Sequence, residues 1–184
     1  PLLEKYTDFT LSTDLSDLSE DQQQMIGLLI EAGNEMDKVF WMQAYGDKEG
    51  LLSSLDGSMR RFAEINYGPW DRLNGNEPFV EGVGPKPAGA NFYPAGMTKE
   101  EFNAWDSDSK DDLYTLVRRD ENGDLFTIPY NEAYGEQHRI ASEKLRAAAE
   151  LAEDPGFKAY LQLRAEALMT NDYQESDLAW MDMK

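Results

Sequence analysis

Apolar residues recur at helical spacing along most of the chain. Met25, Ile26, Leu29, Ala32, Met36, Val39 and Phe40 fall on one face of a helix predicted from Ser19 to about Gln43. Ser19 with Gln22 three positions on forms a capping box at its start. Leu51, Leu52 and Leu55 predict a short second helix ending at Asp56-Gly57, and Met59, Phe62, Ala63 and Ile65 a third that reaches Asn66. The periodicity then lapses until Thr98 and Glu101, a second capping box, flanked by Met97 and Phe102 at the positions of a hydrophobic staple. That helix fades around Trp105-Asp106. Leu113–Val117 and Leu125–Ile128 flank Asp120-Glu121-Asn122-Gly123-Asp124, a hairpin signal, with Pro129 confining the second strand to an edge or its end. Asn131–Glu153 returns to helical spacing through Tyr134, Ile140 or Ala141, Leu145, Ala148 and Leu151 or Ala152. Asp154-Pro155 starts a further helix with a cap followed by proline, its inner face Phe157, Tyr160, Leu161, Leu168 and Met169. Asn171-Asp172 breaks it, and Tyr173–Lys184 begins another segment. The expected fold is mainly α-helical with one β-hairpin, preceded by a polar lead-in over residues 1–18.

The gap in periodicity is itself a signal. Between Gly68 and Gly96 lie six of the 14 glycines and five of the eight prolines. Trp70, Leu73, Phe79, Val80, Val83, Phe92, Tyr93 and Met97 are spread through the same stretch. Flexible linkers lack such large apolar groups, and proline lowers the entropy lost on ordering. The expectation for residues 67–97 is an ordered loop packed on the helices, serving as a functional wall.

Charge and chemistry narrow the function classes. Thirty-six acidic against 17 basic residues give a net charge of −19, a field that repels phosphate backbones and argues against nucleic-acid binding. There is no cysteine, hence no disulfide and no thiolate ligand or nucleophile. No apolar run approaches the roughly 18 residues of a membrane-spanning helix, and nothing in the sequence fixes a compartment. His138 is the single histidine, placed mid-helix between Gln137 and Arg139, and reads as an ordinary helix-surface residue. One histidine cannot supply the usual zinc ligand set. The run Asp106–Asp112 reads as a solvated turn, because Lys110 and Asp111 stand where a calcium loop needs a ligand and a glycine. No nucleophile elbow, phosphate loop or dinucleotide fingerprint is present. The residues assign no catalytic or metal-binding role within the chain.

A resemblance organises these features. Gly68-Pro69-Trp70-Asp71-Arg72-Leu73, Gly84-Pro85-Lys86-Pro87 and the run Gly89-Ala90-Asn91-Phe92-Tyr93-Pro94-Ala95-Gly96-Met97-Thr98-Lys99-Glu100-Glu101-Phe102 resemble the N-terminal region of bacterial dipeptidyl peptidase III-like zinc metallopeptidases. That family removes dipeptides from peptide N-termini in a cleft between two lobes. Its zinc is held by a His-Glu-x-x-x-His or His-Glu-x-x-Gly-His helix and a downstream glutamate, and activates water with a glutamate as general base. No such helix is present here. The resemblance therefore implies that residues 1–184 are a non-catalytic N-terminal domain or portion of a larger two-lobed enzyme. The partners it implies are the catalytic remainder and a peptide substrate, with zinc expected in the complete enzyme and none in this chain. The opening on Pro1 and the stop after Trp180-Met181-Asp182-Met183-Lys184 read the same way. It also implies substrate binding by Asn91, Phe92 and Tyr93, on the cleft wall opposite the zinc-bearing lobe. Packing of Phe92 and Tyr93 within the loop is the competing account of those residues. A stand-alone acidic helical module binding a peptide or partner protein is the alternative for the whole chain, and a purely structural acidic domain the third.

Overall fold

The computed structural model describes residues 2–183. Pro1 and Lys184, on which the reading of cut ends rests, lie outside them. The structure is mainly helical, and its contacts divide it into two compact units, residues 1–12 with 40–104 and residues 13–39 with 105–184.

In the first unit, the end of α1 (Glu20–Ala44) is followed by α2 (Lys48–Ser53) and α3 (Gly57–Asn66). Asp47 caps α2 by accepting a hydrogen bond from the Gly50 amide at 2.8 Å. Trp41, Leu51, Leu52 and Ala63 form a buried cluster, against which Tyr45, Leu55, Tyr67, Phe79 and Val80 pack. Phe62 is fully buried between the rings of Tyr6 and Phe79, at centroid distances of 5.9 and 4.7 Å. Tyr67 ends α3 in the left-handed region, φ 53°, a costly conformation for a side-chain-bearing residue. The rings of Phe40 and Trp41, 4.6 and 5.1 Å away, hold it there. The chain then makes a short antiparallel ladder, β1 (Trp70–Asp71) with β2 (Glu77–Pro78), in register Trp70↔Pro78 and Asp71↔Glu77. Periodicity does not reveal this second hairpin, because two residues per strand, one of them proline, leave no alternation to read. The lead-in contributes a single 3-10 turn, Leu3–Lys5, and Lys5 pairs with the buried carboxylate of Asp71. The unit closes with α4 (Lys99–Ala104), where Thr98 Oγ1 accepts from the Glu101 amide at 3.1 Å, as its capping box requires.

The second unit takes the first part of α1, whose start carries the expected reciprocal box. Ser19 Oγ accepts from the Gln22 amide at 3.2 Å and Gln22 Oε1 from the Ser19 amide at 3.0 Å. β3 (Thr115–Arg119) and β4 (Leu125–Pro129) pair antiparallel, from Thr115↔Pro129 to Arg119↔Leu125. The first strand begins two residues later than expected, with Leu113 exposed. Asp120 shapes the five-residue connection by accepting from the Asn122 and Asp124 amides at 2.9 and 2.8 Å. These bonds keep its carboxyl below the usual range. The acidic run before β3 forms turns whose aspartates are exposed. The helical pattern from Asn131 divides into α5 (Tyr130–Ala133) and α6 (Gly135–Leu151), separated by Tyr134 at φ −119°. α7 (Pro155–Thr170) and α8 (Gln174–Asp182) complete the unit. Asp154 Oδ1 caps α7 at 2.7 Å from the Phe157 amide, and Asn171 ends it in the left-handed region.

α6 meets α7 with small buried residues on both helices, Ala141, Ala148 and Ala149 on α6 and Ala165 and Ala167 on α7, and Leu161 and Leu168 of α7 pack against the α6 alanines. Small side chains let the backbones approach, and two polar residues one helical turn apart exploit that. His138 Nδ1 lies 2.9 Å from the Leu168 carbonyl, and Ser142 Oγ donates to the Ala165 carbonyl at 2.8 Å. His138 is only 3% exposed, which corrects its reading as a surface histidine. Burial holds its pKa below the ordinary 6.5, partly countered by the bond to Leu168.

Candidate functional site

The loop expected to be a wall is tied down at Trp70, Phe79 and Asn91. Trp70 is buried and its indole N–H donates to the Gly84 carbonyl at 2.9 Å. The Phe79 amide donates to the Pro69 carbonyl at 3.0 Å. Twelve residues on, the Asn91 amide donates to the Gln43 carbonyl at 2.9 Å, and its side-chain Nδ2 to the Met42 carbonyl at 2.7 Å. These bonds pin the loop to the end of α1. Ala90, beside them, stands at φ 47°, strain of about 1–3 kcal/mol that the Asn91 tethers must overcome. Leu73 is 61% exposed, so the apolar content of the stretch is only partly buried.

Between these tethers lies a cavity of about 700 Å³. Tyr45, Trp70, Tyr93 and Phe102 bring four aromatic rings to it, with Met97 and loop alanines and prolines between them. Asn91, Thr98, Lys99 and Asn103 are its polar side chains. All of these residues belong to the first unit. Two of the residues singled out from the sequence, Asn91 and Tyr93, line this cavity, whereas half-buried Phe92 is not part of its lining. Tyr93 is 40% exposed, and its ring meets Phe102 edge to face at 5.9 Å. Sequence reading passes over Tyr45, which reaches the cavity from just beyond α1, and reads Met97 and Phe102 as a helix staple and part of the aromatic stretch rather than as lining. No local pattern joins positions 45 and 93; the Asn91 bonds to Met42 and Gln43 bring their segments together.

Glycines make room for three of these side chains. A methyl group on Gly89 (φ 81°) would stand 2.7 Å from the Tyr93 ring, where no real contact survives. One on Gly46 would stand 3.3 Å from Asn91 Nδ2, and one on Gly68 3.3 Å from the Trp70 ring.

A catalytic centre is a different matter. Among the described residues, no group of three or more histidines, cysteines, aspartates or glutamates is placed to hold a metal ion. His138 spends Nδ1 on a backbone carbonyl inside the second unit. The donor set offered by the described residues does not fit a zinc site. Among the described residues, no helix is long and apolar enough to cross a membrane.

No family model matches the chain. Over its whole length it superposes on part of dipeptidyl peptidase III from Caldithrix abyssi, with a TM-score of 0.91 and 39% identity. The enzyme of the same name from Corallococcus sp. strain EGB gives 0.88 and 30%, and each match covers 37% of that chain. A curated relative, Nudix hydrolase 3 of Arabidopsis thaliana, is 30% identical over 244 aligned residues, covering 98% of this chain and 32% of its own length. The chain thus spans about a third of the proteins it matches. The resemblance seen in the motifs from Gly68 to Phe102 holds across the entire fold. The plant relative's name differs from those of the bacterial structures, and each name belongs to a much longer protein.

Proposed function

We propose that this chain is the non-catalytic N-terminal portion of a zinc-dependent dipeptidyl peptidase-like exopeptidase and supplies one wall of its peptide-binding cleft. The observation that carries the reading is the full-length match to dipeptidyl peptidase III at 39% identity and a TM-score of 0.91. The plant relative shares the same region, which says nothing about the chemistry of the rest of that protein.

Within this reading the division of labour follows from the residues. Zinc chemistry belongs to the remainder of the polypeptide, since the described residues offer no fitting donor set. Asn91 positions the wall by its bonds to Met42 and Gln43, and Tyr93 presents a half-open ring to the substrate. Phe92, outside the cavity lining, meets substrate on another face of the loop or steadies the loop itself. An extended peptide laid along such a loop is held by backbone hydrogen bonds and by pockets for its side chains.

The test compares the isolated 184-residue chain with the complete gene product, following dipeptide release from tetrapeptides by chromatography. The isolated chain is expected to be inactive and the complete zinc-loaded protein active. Phe92→Ala and Tyr93→Ala should lower kcat/KM in the complete protein without lowering its melting temperature in proportion. A complete product that releases no dipeptides, or an isolated chain that binds zinc one-to-one and loses it on His138→Ala, overturns the proposal.

A further inference from the structure

We infer that Asn74 is a self-modifying site: its side chain cyclises with the Gly75 amide, and the resulting succinimide opens to aspartate and isoaspartate, remodelling the turn between β1 and β2. The inference stands apart from the cleft-wall reading.

The chain holds two Asn-Gly dipeptides, Asn74-Gly75 and Asn122-Gly123, each in the turn of a hairpin. Glycine has no Cβ to screen its amide nitrogen, which can therefore reach the side-chain carbonyl of the residue before it. The Gly75 nitrogen gives its proton to hydroxide and attacks Cγ of Asn74. The N–Cγ bond forms, the Cγ–Nδ2 bond breaks, and Nδ2 leaves as ammonia. Water then opens the ring, at Cγ to give aspartate or at the main-chain carbonyl to give isoaspartate. A side-chain amide and water become a carboxylate and ammonium, with no oxidant or cofactor needed.

The fold holds the two dipeptides differently. The Gly123 amide donates to the Asp120 carbonyl at 3.1 Å, and Asn122 Nδ2 to Asp120 Oδ2 at 3.3 Å. Nucleophile and target are both engaged, and the Asp120 carboxylate, kept ionised by the turn amides, opposes negative charge on the Gly123 nitrogen. Neither restraint exists at the other site. Among the described residues, the Gly75 amide and the Asn74 side chain make no hydrogen bond. Every residue from Arg72 to Pro78 is exposed, and a methyl group on Gly75 would meet nothing within 4 Å.

The turn is built so that the change is felt. The Asp71 carbonyl accepts from the Asn74 and Asn76 amides at 3.0 and 2.9 Å, and the Asn74 carbonyl from the Glu77 amide at 3.1 Å. Isoaspartate at position 74 inserts one more carbon between the first two amides and takes the third bond's acceptor out of the main chain as a free carboxylate. Asp71 is also the buried partner of Lys5, so the altered turn adjoins the anchor of the lead-in.

The full 184-residue chain is aged in mildly alkaline buffer below its melting temperature. Peptide-mapping mass spectrometry follows conversion at each site, and an isoaspartyl methyltransferase assay counts isoaspartate. Asn74 should convert at least about tenfold faster than Asn122, whose turn must open before it reacts. In urea, where the turns are gone, the two rates should agree within about twofold. Asp120→Ala should speed conversion of Asn122 and leave Asn74 as it was. Should that variant fail to fold, as judged by its thermal melt, the comparison of folded and urea-treated parent decides alone. In the aged parent the Asn76 and Glu77 amides should exchange faster with solvent, and in Asn74→Gln aged beside it they should not. Equal rates in the folded chain, an undiminished ratio in urea, or no response of Asn122 to Asp120→Ala overturns the site. Unchanged exchange in a converted parent overturns the remodelling.

Discussion

Phe79 packs the long loop against the core of the first unit, and removing its ring tests whether the loop owes its order to that grip. The ring lies 4.7 Å from fully buried Phe62 and packs on the cluster of Trp41, Leu51, Leu52 and Ala63. Truncating a fully buried phenylalanine costs about 3–5 kcal/mol, the figure expected for Phe62→Ala. Phe79 is only partly buried, so Phe79→Ala should cost less, about 2–3 kcal/mol. If the two rings support one another, the double variant should be less unstable than the sum of the singles by about 0.5–1.5 kcal/mol. Urea denaturation followed by circular dichroism gives all three values, with the slope checked for two-state behaviour. Hydrogen exchange then asks the sharper question. The Phe79 amide is bonded to Pro69 and the Trp70 indole to Gly84, and in Phe79→Ala both should exchange at least about tenfold faster. Unchanged exchange across residues 70–91, or strictly additive stabilities, would show that the loop is ordered by something other than this pair.

Three further outcomes are expected. Thr98→Ala removes the oxygen that accepts the Glu101 amide, and should lower stability by about 0.5–2 kcal/mol; an unchanged urea midpoint would sink the capping assignment. Asp154→Ala should cost a similar amount, about 0.5–2 kcal/mol at the start of α7, with Asp154→Asn recovering most of it in the same denaturation assay. His138 sets a pH dependence: its folded pKa lies below the ordinary 6.5, so the unfolded chain takes up the proton first. Its contribution is complete above pH 6.5 and is lost as pH falls through the lowered folded value, at up to about 1.4 kcal/mol per pH unit. His138→Gln should flatten the stability profile below pH 6.5, and an identical slope in parent and variant would refute the assignment.

What could be read from the sequence was whatever is decided locally. The boxes at Ser19–Gln22 and Thr98–Glu101 and the Asp154-Pro155 start each satisfy helix amides from within one turn, so spacing alone finds them. The hairpin from Thr115 to Pro129 was equally plain, its strands meeting across five residues. What escaped depends on distant partners. His138 looked solvated between Gln137 and Arg139, yet the small residues of α6 draw it against a carbonyl of α7. The ladder of Trp70–Asp71 with Glu77–Pro78 has no pattern of its own and is fixed by its surroundings. Of the candidate site, the aromatic loop was legible from its composition. Its partner Tyr45 was not, because the cavity closes only where Asn91 meets the end of α1.

The empty places at Gly46, Gly68 and Gly89 change what mutational variation can accomplish here. Asn91, Trp70 and Tyr93 hold their poses against absent methyl groups, so the cavity can be remodelled without altering any of the larger side chains that line it. A single added carbon at position 89 would displace the tyrosine from behind. A scan that truncates only large side chains would score such positions as blank. In a library of natural or selected variants, shifts in ligand preference should therefore map partly to these glycines, as changes written in the backbone and read out in the aromatic residues beside them.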